Sequence, residues 1–218
     1  MINPAEVADR LGALRERLSQ AGGDRVKLVA VTKGFGPEAV AAAVSAGLTD
    51  IGENYAQELR AKANSLGDQP GDAQPRWHFI GQLQRNKIRK IAHLVHLWQS
   101  VDRPELASEI ARRAPGAAVL VQVDIAGKEG RGGCAPSETT RLVQHCRDAG
   151  LEAVGLMAVG PPGAPELARP GFRLLASQAA DLGLAELSMG MTADIEVAVE
   201  EGATMVRVGT ALFGPRPR

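Results

Sequence analysis

A lysine closes the apolar run in VAVTKGFG, residues 29–36, and two glycines follow it. An amine held where a buried strand opens into a loop sheds part of its preference for the charged form, and the neutral amine can attack a carbonyl carbon. Lys33 is therefore a candidate imine-forming residue; the competing reading is a strand-end lysine that snorkels to solvent. Towards the other end of the chain, TMVRVGTALFG carries Arg207 inside an apolar run and then Gly209-Thr210. Backbone N–H groups and a hydroxyl at such a turn could hold a phosphate. An arginine within a strand needs an acceptor, and an inward one near the strand's C-terminal end needs it at the functional face. Ser188-Met189-Gly190 ends a further apolar run, and Thr192 reads as the N-cap of a helix over 192–201 whose first N–H groups would serve the same anion. Against this stands the ordinary βα turn, since Gly and Ser populate turns anyway.

Other groups carry weaker signals. His93 and His96 flank and enter one strand, where alternation sends residues three apart to opposite faces, which disfavours a metal pair. His78 in WHFIG reads as a packed strand histidine with no clear partner nearby. GKEGRGG lacks the GK[ST] ending of a phosphate loop. Gln82, Gln84, Arg85, Asn86 and Lys87 form a polar helix start, read as solvated surface or as a docking surface for a partner protein. Tyr55, the one tyrosine, reads as a partly buried ring.

The elements that must position these groups alternate along the chain. Strand candidates lie at 26–32, 50–54, 77–81, 94–100, 117–125, 153–159, 185–190 and 204–210. Several are too uniformly apolar for a sheet with one wet face, so they read as parallel and covered on both sides. Helix candidates lie between them at 37–46, 56–66, 84–92, 103–113, 136–149, 171–181 and 192–201, with an extra one at 5–20 before the first strand. Strict alternation of eight strands with helices favours closure into a (β/α)₈ barrel, an α/β fold whose functional face is the C-terminal end of the strands. Lys33 and Gly209-Thr210 would then meet at one mouth. With no linker or repeat evident, residues 1–218 read as a single domain.

Composition excludes several function classes. Lys plus Arg number 25 and Asp plus Glu 25, so no global charge draws the chain to nucleic acid or to an anionic membrane. Cys134 and Cys146 fit neither a metal spacing nor a disulfide framework, and MINPAEVADR has acids where a signal peptide needs a basic and then apolar segment. No apolar stretch approaches the ~18 residues of a membrane span. A cytoplasmic location is expected.

The motifs VAVTK, GENYAQE, WHFIGQLQRNK, SVD, GLMAV and LSMGMTADIEVAVEEGATMVRVGTALFG, in this order, resemble the pyridoxal phosphate homeostasis protein family from about residue 26 to 214. The resemblance implies the (β/α)₈ barrel of the alanine racemase N-terminal domain type and binding of pyridoxal 5′-phosphate without an established reaction. It implies Lys33 as the Schiff-base lysine and Arg207 facing the pyridine nitrogen. It further implies Ser188, Gly190, Gly209 and Thr210 around the phosphate, and Asn54 beside the ring. Thr32 stands where the family commonly has serine, and GKEGRGGCAPSE departs from the family's loop, so Arg131 and Gly133 are left out of the site.

Three functions follow for comparison. A non-enzymatic carrier of pyridoxal phosphate, monomeric and serving other cofactor-dependent apoenzymes, leads. A small fold-type III pyridoxal phosphate enzyme such as an amino-acid racemase comes second; Arg207 at the ring nitrogen, where strong carbanion sinks commonly have a carboxylate, argues against it. A cofactor-free Schiff-base aldolase using Lys33 is third.

Overall fold

The computed structural model of the chain describes residues 2–67, 74–127 and 132–216. Eight parallel strands close into a barrel in sequence order: β1 (Lys27–Val31), β2 (Asp50–Glu53), β3 (Arg76–Phe79), β4 (Val95–Val101), β5 (Ala118–Gln122), β6 (Glu152–Met157), β7 (Glu186–Ser188) and β8 (Met205–Val208). Closure runs through the pairing of β1 with β8, which sets Val29 opposite Arg207. The helices are α1 (Pro4–Gln20), α2 (Pro37–Ser45), α3 (Ala56–Leu66), α4 (Arg85–Ile91), α5 (Pro104–Arg113), α6 (Thr139–Asp148), α7 (Arg169–Asp181), α8 (Ile195–Glu200) and α9 (Thr210–Phe213).

The two-residue period of the strands divides the apolar side chains into two cores. Outward residues such as Leu28, Ala30, Ile51, Trp98 and Val206 pack against the helices. A smaller cluster of Val29, Leu97, Leu120, Met157 and Met205 fills the lumen. Arg207 lies two positions beyond Met205 on β8, so it also points inward. Helix α1 begins at Asn3, whose Oδ1 accepts from Ala5 N at 3.1 Å, and buries the face Val7, Leu11, Leu14 and Leu18. It covers the β8–β1 side, where α9 has only 4 residues. Arg17 ties it to Glu196 at 2.8 Å.

Sequence boundaries shift where turns intervene. Helix α8 starts at Ile195 rather than at 192, because Asp194 Oδ1 accepts from Met191 N at 2.6 Å and holds residues 192–194 in a turn. Thr192 is accordingly no N-cap, and a 6-residue helix offers little terminal field. The strand expected over 204–210 ends at Val208, since Thr210 already opens α9. Among the described residues no helix is long and apolar enough to cross a membrane.

Candidate functional site

Thr32 extends the barrel ladder through its N–H to Gly52 O at 3.1 Å, and the chain then turns at Gly34, whose φ of 75° is a glycine conformation. This loop is fastened to α3. Glu53 Oε1 accepts from Thr32 Oγ1 at 2.6 Å and from Lys62 Nζ, while Lys62 also donates to Thr32 O at 2.7 Å. Gly34 N donates to Glu58 Oε2 at 2.8 Å. Lys33, held between these anchors, faces the other way.

Its amine lines a cavity of about 360 Å³ at the C-terminal end of the strands, together with Asn54, Arg207, Gly209 and Thr210. Lys33 is half-buried, and among the described residues its Nζ has no hydrogen-bond or ion-pair partner. Burial holds its pKa below that of an ordinary lysine; the Arg216 and Arg207 cations push the same way, and Glu53 opposes them. Asn54 presents a buried Oδ1 without a partner to the same space. Such an atom costs free energy unless a ligand or water meets it.

Arg207 also lines the cavity and is only 4% exposed. Its NH1 donates to Ser188 O and Ser188 Oγ, both at 2.7 Å, and its NH2 donates to Ala158 O at 2.7 Å. Burial lowers its pKa to about 10, with the Asp194 carboxylate acting in the opposite direction. No described group accepts from its Nε or from the second NH2 hydrogen, so two donors of a buried cation are left for whatever occupies the cavity.

At Gly209 the issue is space rather than conformation. Its φ is −121°, open to any residue, but a Cβ there would lie 3.2 Å from Val31 O. Thr210 next to it is exposed on the rim.

Two expected site residues fall elsewhere. Ser188 is fully buried, and its hydroxyl donates to Gln99 Oε1 at 2.7 Å while accepting from Arg207. With its hydrogen and one lone pair spent inside the barrel, it supports Arg207 and does not line the cavity; this corrects its assignment to a phosphate. Gly190 also lies behind the rim: its φ is 90°, a Cβ would meet that of Ala198 at 2.6 Å, and its carbonyl accepts from Arg207 N at 3.0 Å. It shapes the turn that carries Met191, Thr192 and Ala193 to the cavity wall.

His78 is not partnerless, as its sequence context suggests: Asp50 Oδ1 and Gln99 Nε2 flank its ring. Tyr55 is 56% exposed and lies outside the cavity lining. Among the described residues no group of three His, Cys, Asp or Glu side chains is placed to hold a metal. Cys134 and Cys146 are buried and free, their thiols pushed up to about 11 and about 12 by burial. Arg131 lies outside the described residues. Arg216 is the charged cavity residue that sequence reasoning missed. It sits in a short basic tail with no motif, and only the closure of β8 onto β1 brings it beside Gly34, with its Cδ 3.1 Å from where a Cβ would be.

The alanine racemase N-terminal domain family matches residues 2–217. The chain is 42% identical to the pyridoxal phosphate homeostasis protein of Pseudomonas aeruginosa, over 98% of this chain and 94% of that one. It is 36% identical to the human protein of the same name, over 94% and 85% respectively. The chain belongs to the pyridoxal phosphate homeostasis protein family. Among solved structures it resembles PipY of Synechococcus elongatus PCC7942 with PLP bound, at a TM-score of 0.82 and 35% identity, covering 95% of this chain and 100% of that one. Alanine racemase of Clostridium difficile shares the fold alone, at 15% identity and a TM-score of 0.74, with this chain spanning 58% of its length.

Proposed function

We propose that this chain binds pyridoxal 5′-phosphate in the cavity at the barrel mouth and serves cofactor homeostasis as a carrier, without catalytic turnover. The observation that carries the reading is Lys33: an unpaired, half-buried amine, lowered in pKa, in one cavity with a buried cation and the Gly209-Thr210 turn. The residues present fit the group. Lys33 would hold the aldehyde covalently, Arg207 Nε would donate to the ring nitrogen, Asn54 would lie beside the ring, and Gly209, Thr210 and the Arg216 charge would hold the phosphate. When bound, pyridoxal phosphate supplies an aldehyde that condenses with amines and a ring that withdraws electrons.

The chain's own groups favour holding over turnover. Arg207 only donates, so it does not help to protonate the ring nitrogen as a carboxylate would. The one tyrosine stands outside the cavity lining, so it is not placed as an acid or base there. The loop anchors through Glu53, Glu58 and Lys62 keep Lys33 oriented whether or not ligand is present. We further assign the chain to the cytoplasm as a monomer that serves apoenzymes, residues 1–218 acting as one cofactor-binding unit.

The test is borohydride reduction of the loaded protein followed by peptide mapping, with solvent-deuterium exchange into added amino acids measured in parallel. A stable label on Lys33 and no turnover of Cα hydrogens is the expected result. A label elsewhere overturns the site, and sustained exchange overturns the carrier role in favour of a racemase-like enzyme.

A further inference from the structure

Beneath the cavity a column of polar side chains crosses the lumen from the mouth toward the opposite end of the barrel. Arg207 NH1 meets Ser188 Oγ at 2.7 Å, Ser188 Oγ meets Gln99 Oε1 at 2.7 Å, and Gln99 Nε2 meets His78 Nδ1 at 2.7 Å. His78 Nε2 then meets Asp50 Oδ1 at 2.9 Å, and Asp50 accepts from Arg76 Nε and NH2 at 3.1 and 2.6 Å. Ser188 and Gln99 are fully buried and His78 is 1% exposed. Five strands contribute one member each before Arg76 is reached: β8, β7, β4, β3 and β2.

The two ends of this column fix the direction of every hydrogen bond in it. Arginine can only donate, and an ionised carboxylate can only accept. Burial alone would raise the Asp50 carboxyl, but hydrogen bonds from His78 and Arg76 and their charges hold it well below the carboxylate range. Gln99 settles the middle. Its Nε2 also faces Met205 Sδ at 3.0 Å, an acceptor, so the amide nitrogen lies on the side of Met205 and His78, and the oxygen takes the Ser188 hydroxyl. Turning the amide over would set its oxygen against the sulfur and leave the Ser188 hydrogen without an acceptor. The ring of His78 must then accept at Nδ1 and donate from Nε2. All bonds run one way, from Arg207 to Asp50.

We propose that Ser188, Gln99 and His78 are positioning residues for Arg207: the one-way column fixes the guanidinium so that its Nε–H, one of the two donors left unused, is presented to the cavity. Arg207 has no carboxylate among its hydrogen-bond partners, only two carbonyls and this hydroxyl. Its orientation therefore depends on a serine hydroxyl whose own direction is set by Gln99. The ligand part of the inference rests on the reading that the cavity takes pyridoxal phosphate with its ring nitrogen at Arg207; the column's direction does not.

The experiment has two arms. In the first, ¹⁵N NMR of the ligand-free parent reads the His78 ring, assigned by replacing the other three histidines, His93, His96 and His145, with Gln. An Nε2–H ring with an unprotonated Nδ1 is expected, and an Nδ1–H or doubly protonated ring overturns the column. In the second, pyridoxal phosphate is titrated into folded Gln99→Met and Gln99→Glu variants and followed by absorption. Gln99→Met keeps the volume but removes the acceptor for Ser188; affinity should fall about 10-fold, the scale of one lost hydrogen bond, with a shifted band for the bound cofactor. Gln99→Glu keeps an oxygen for Ser188 and should restore most of that affinity. Parent-like affinity and spectrum in Gln99→Met, or equal losses in both variants, overturn the positioning role. If neither variant folds, the parent's tautomer decides alone. Failure of the parent to label Lys33 would overturn the ligand reading while leaving the NMR arm intact.

Discussion

The mouth of the barrel and the column beneath it are built from the same kinds of polar group but are finished differently. In the column each donor from Arg207 NH1 to His78 Nε2 has an acceptor within 2.9 Å. At the mouth, Lys33 Nζ and Arg207 Nε have no acceptor and Asn54 Oδ1 has no donor among the described residues. Burial makes an unpaired polar group costly in both places, so completed pairing in the column specifies the fold, while several unpaired groups gathered around one cavity leave room for a ligand to complete them. Two lysines repeat the contrast on either side of one loop. Lys62, 4% exposed, has Glu53, Glu58 and Thr32 O as acceptors; Lys33 has none among the described residues.

The comparison breaks first at these lysines. Lys33→Ala should abolish the borohydride-stable label completely while leaving urea unfolding close to the parent's, because a half-buried strand-end side chain adds little core volume; a label retained at Lys62 would erase the distinction. Lys62→Met should do the reverse. It leaves the Glu53 carboxylate buried and unpaired, at a cost of about 3–5 kcal/mol in urea unfolding, with Lys33 still labelled once cofactor is bound. A cost near zero would mean that Glu53 is neutral without its partner.

On the rim, paired titration with pyridoxal phosphate and unphosphorylated pyridoxal sharpens the contrast. Thr210→Val should weaken only the phosphorylated ligand, by about 1–3 kcal/mol, and Gly209→Val should weaken it further, since its Cβ would crowd Val31 O at 3.2 Å. Equal losses for both ligands would mean that these residues merely shape the rim.

The smallest expected effect is electrostatic. A lowered lysine pKa means that the neutral amine becomes the major form at a lower pH than an ordinary lysine's 10.5. The rate of label formation should rise with pH and level off with a midpoint below that value. Arg216→Gln removes a cation that lowers Lys33, so the midpoint should move up towards 10.5, a small effect because Arg216 is exposed and screened by solvent. A midpoint that stays fixed, or falls, places Arg216 outside the field of the amine.

Much of the mouth was legible in the sequence because its residues sit at strand ends. VAVTKGFG and MVRVGT each write an apolar strand, its last residue and the turn after it within a few positions, and the βα order sends those ends to one face. Ser188 misled for the same reason. SMG looks like a turn that offers a hydroxyl, yet Ser188 is the last inward position of β7, and alternation turns its side chain into the lumen. Arg216 and the Glu53–Lys62 anchor carried no such local signal.

The sequence by itself determined the alternation of strands and helices that favours a barrel, the extra N-terminal helix, the place of Arg207 within the last strand, and the placing of Lys33 and Gly209-Thr210 at the strand ends. Each follows from a period or a boundary read within one segment. Only the tertiary structure decided which polar groups are satisfied. Ser188 and Gln99 are 89 positions apart, and His78 and Asp50 are 28 apart. A hydrogen bond needs its atoms within about 3 Å and aligned, and closure of the barrel, not spacing along the chain, brings those pairs into reach and leaves Lys33 without one.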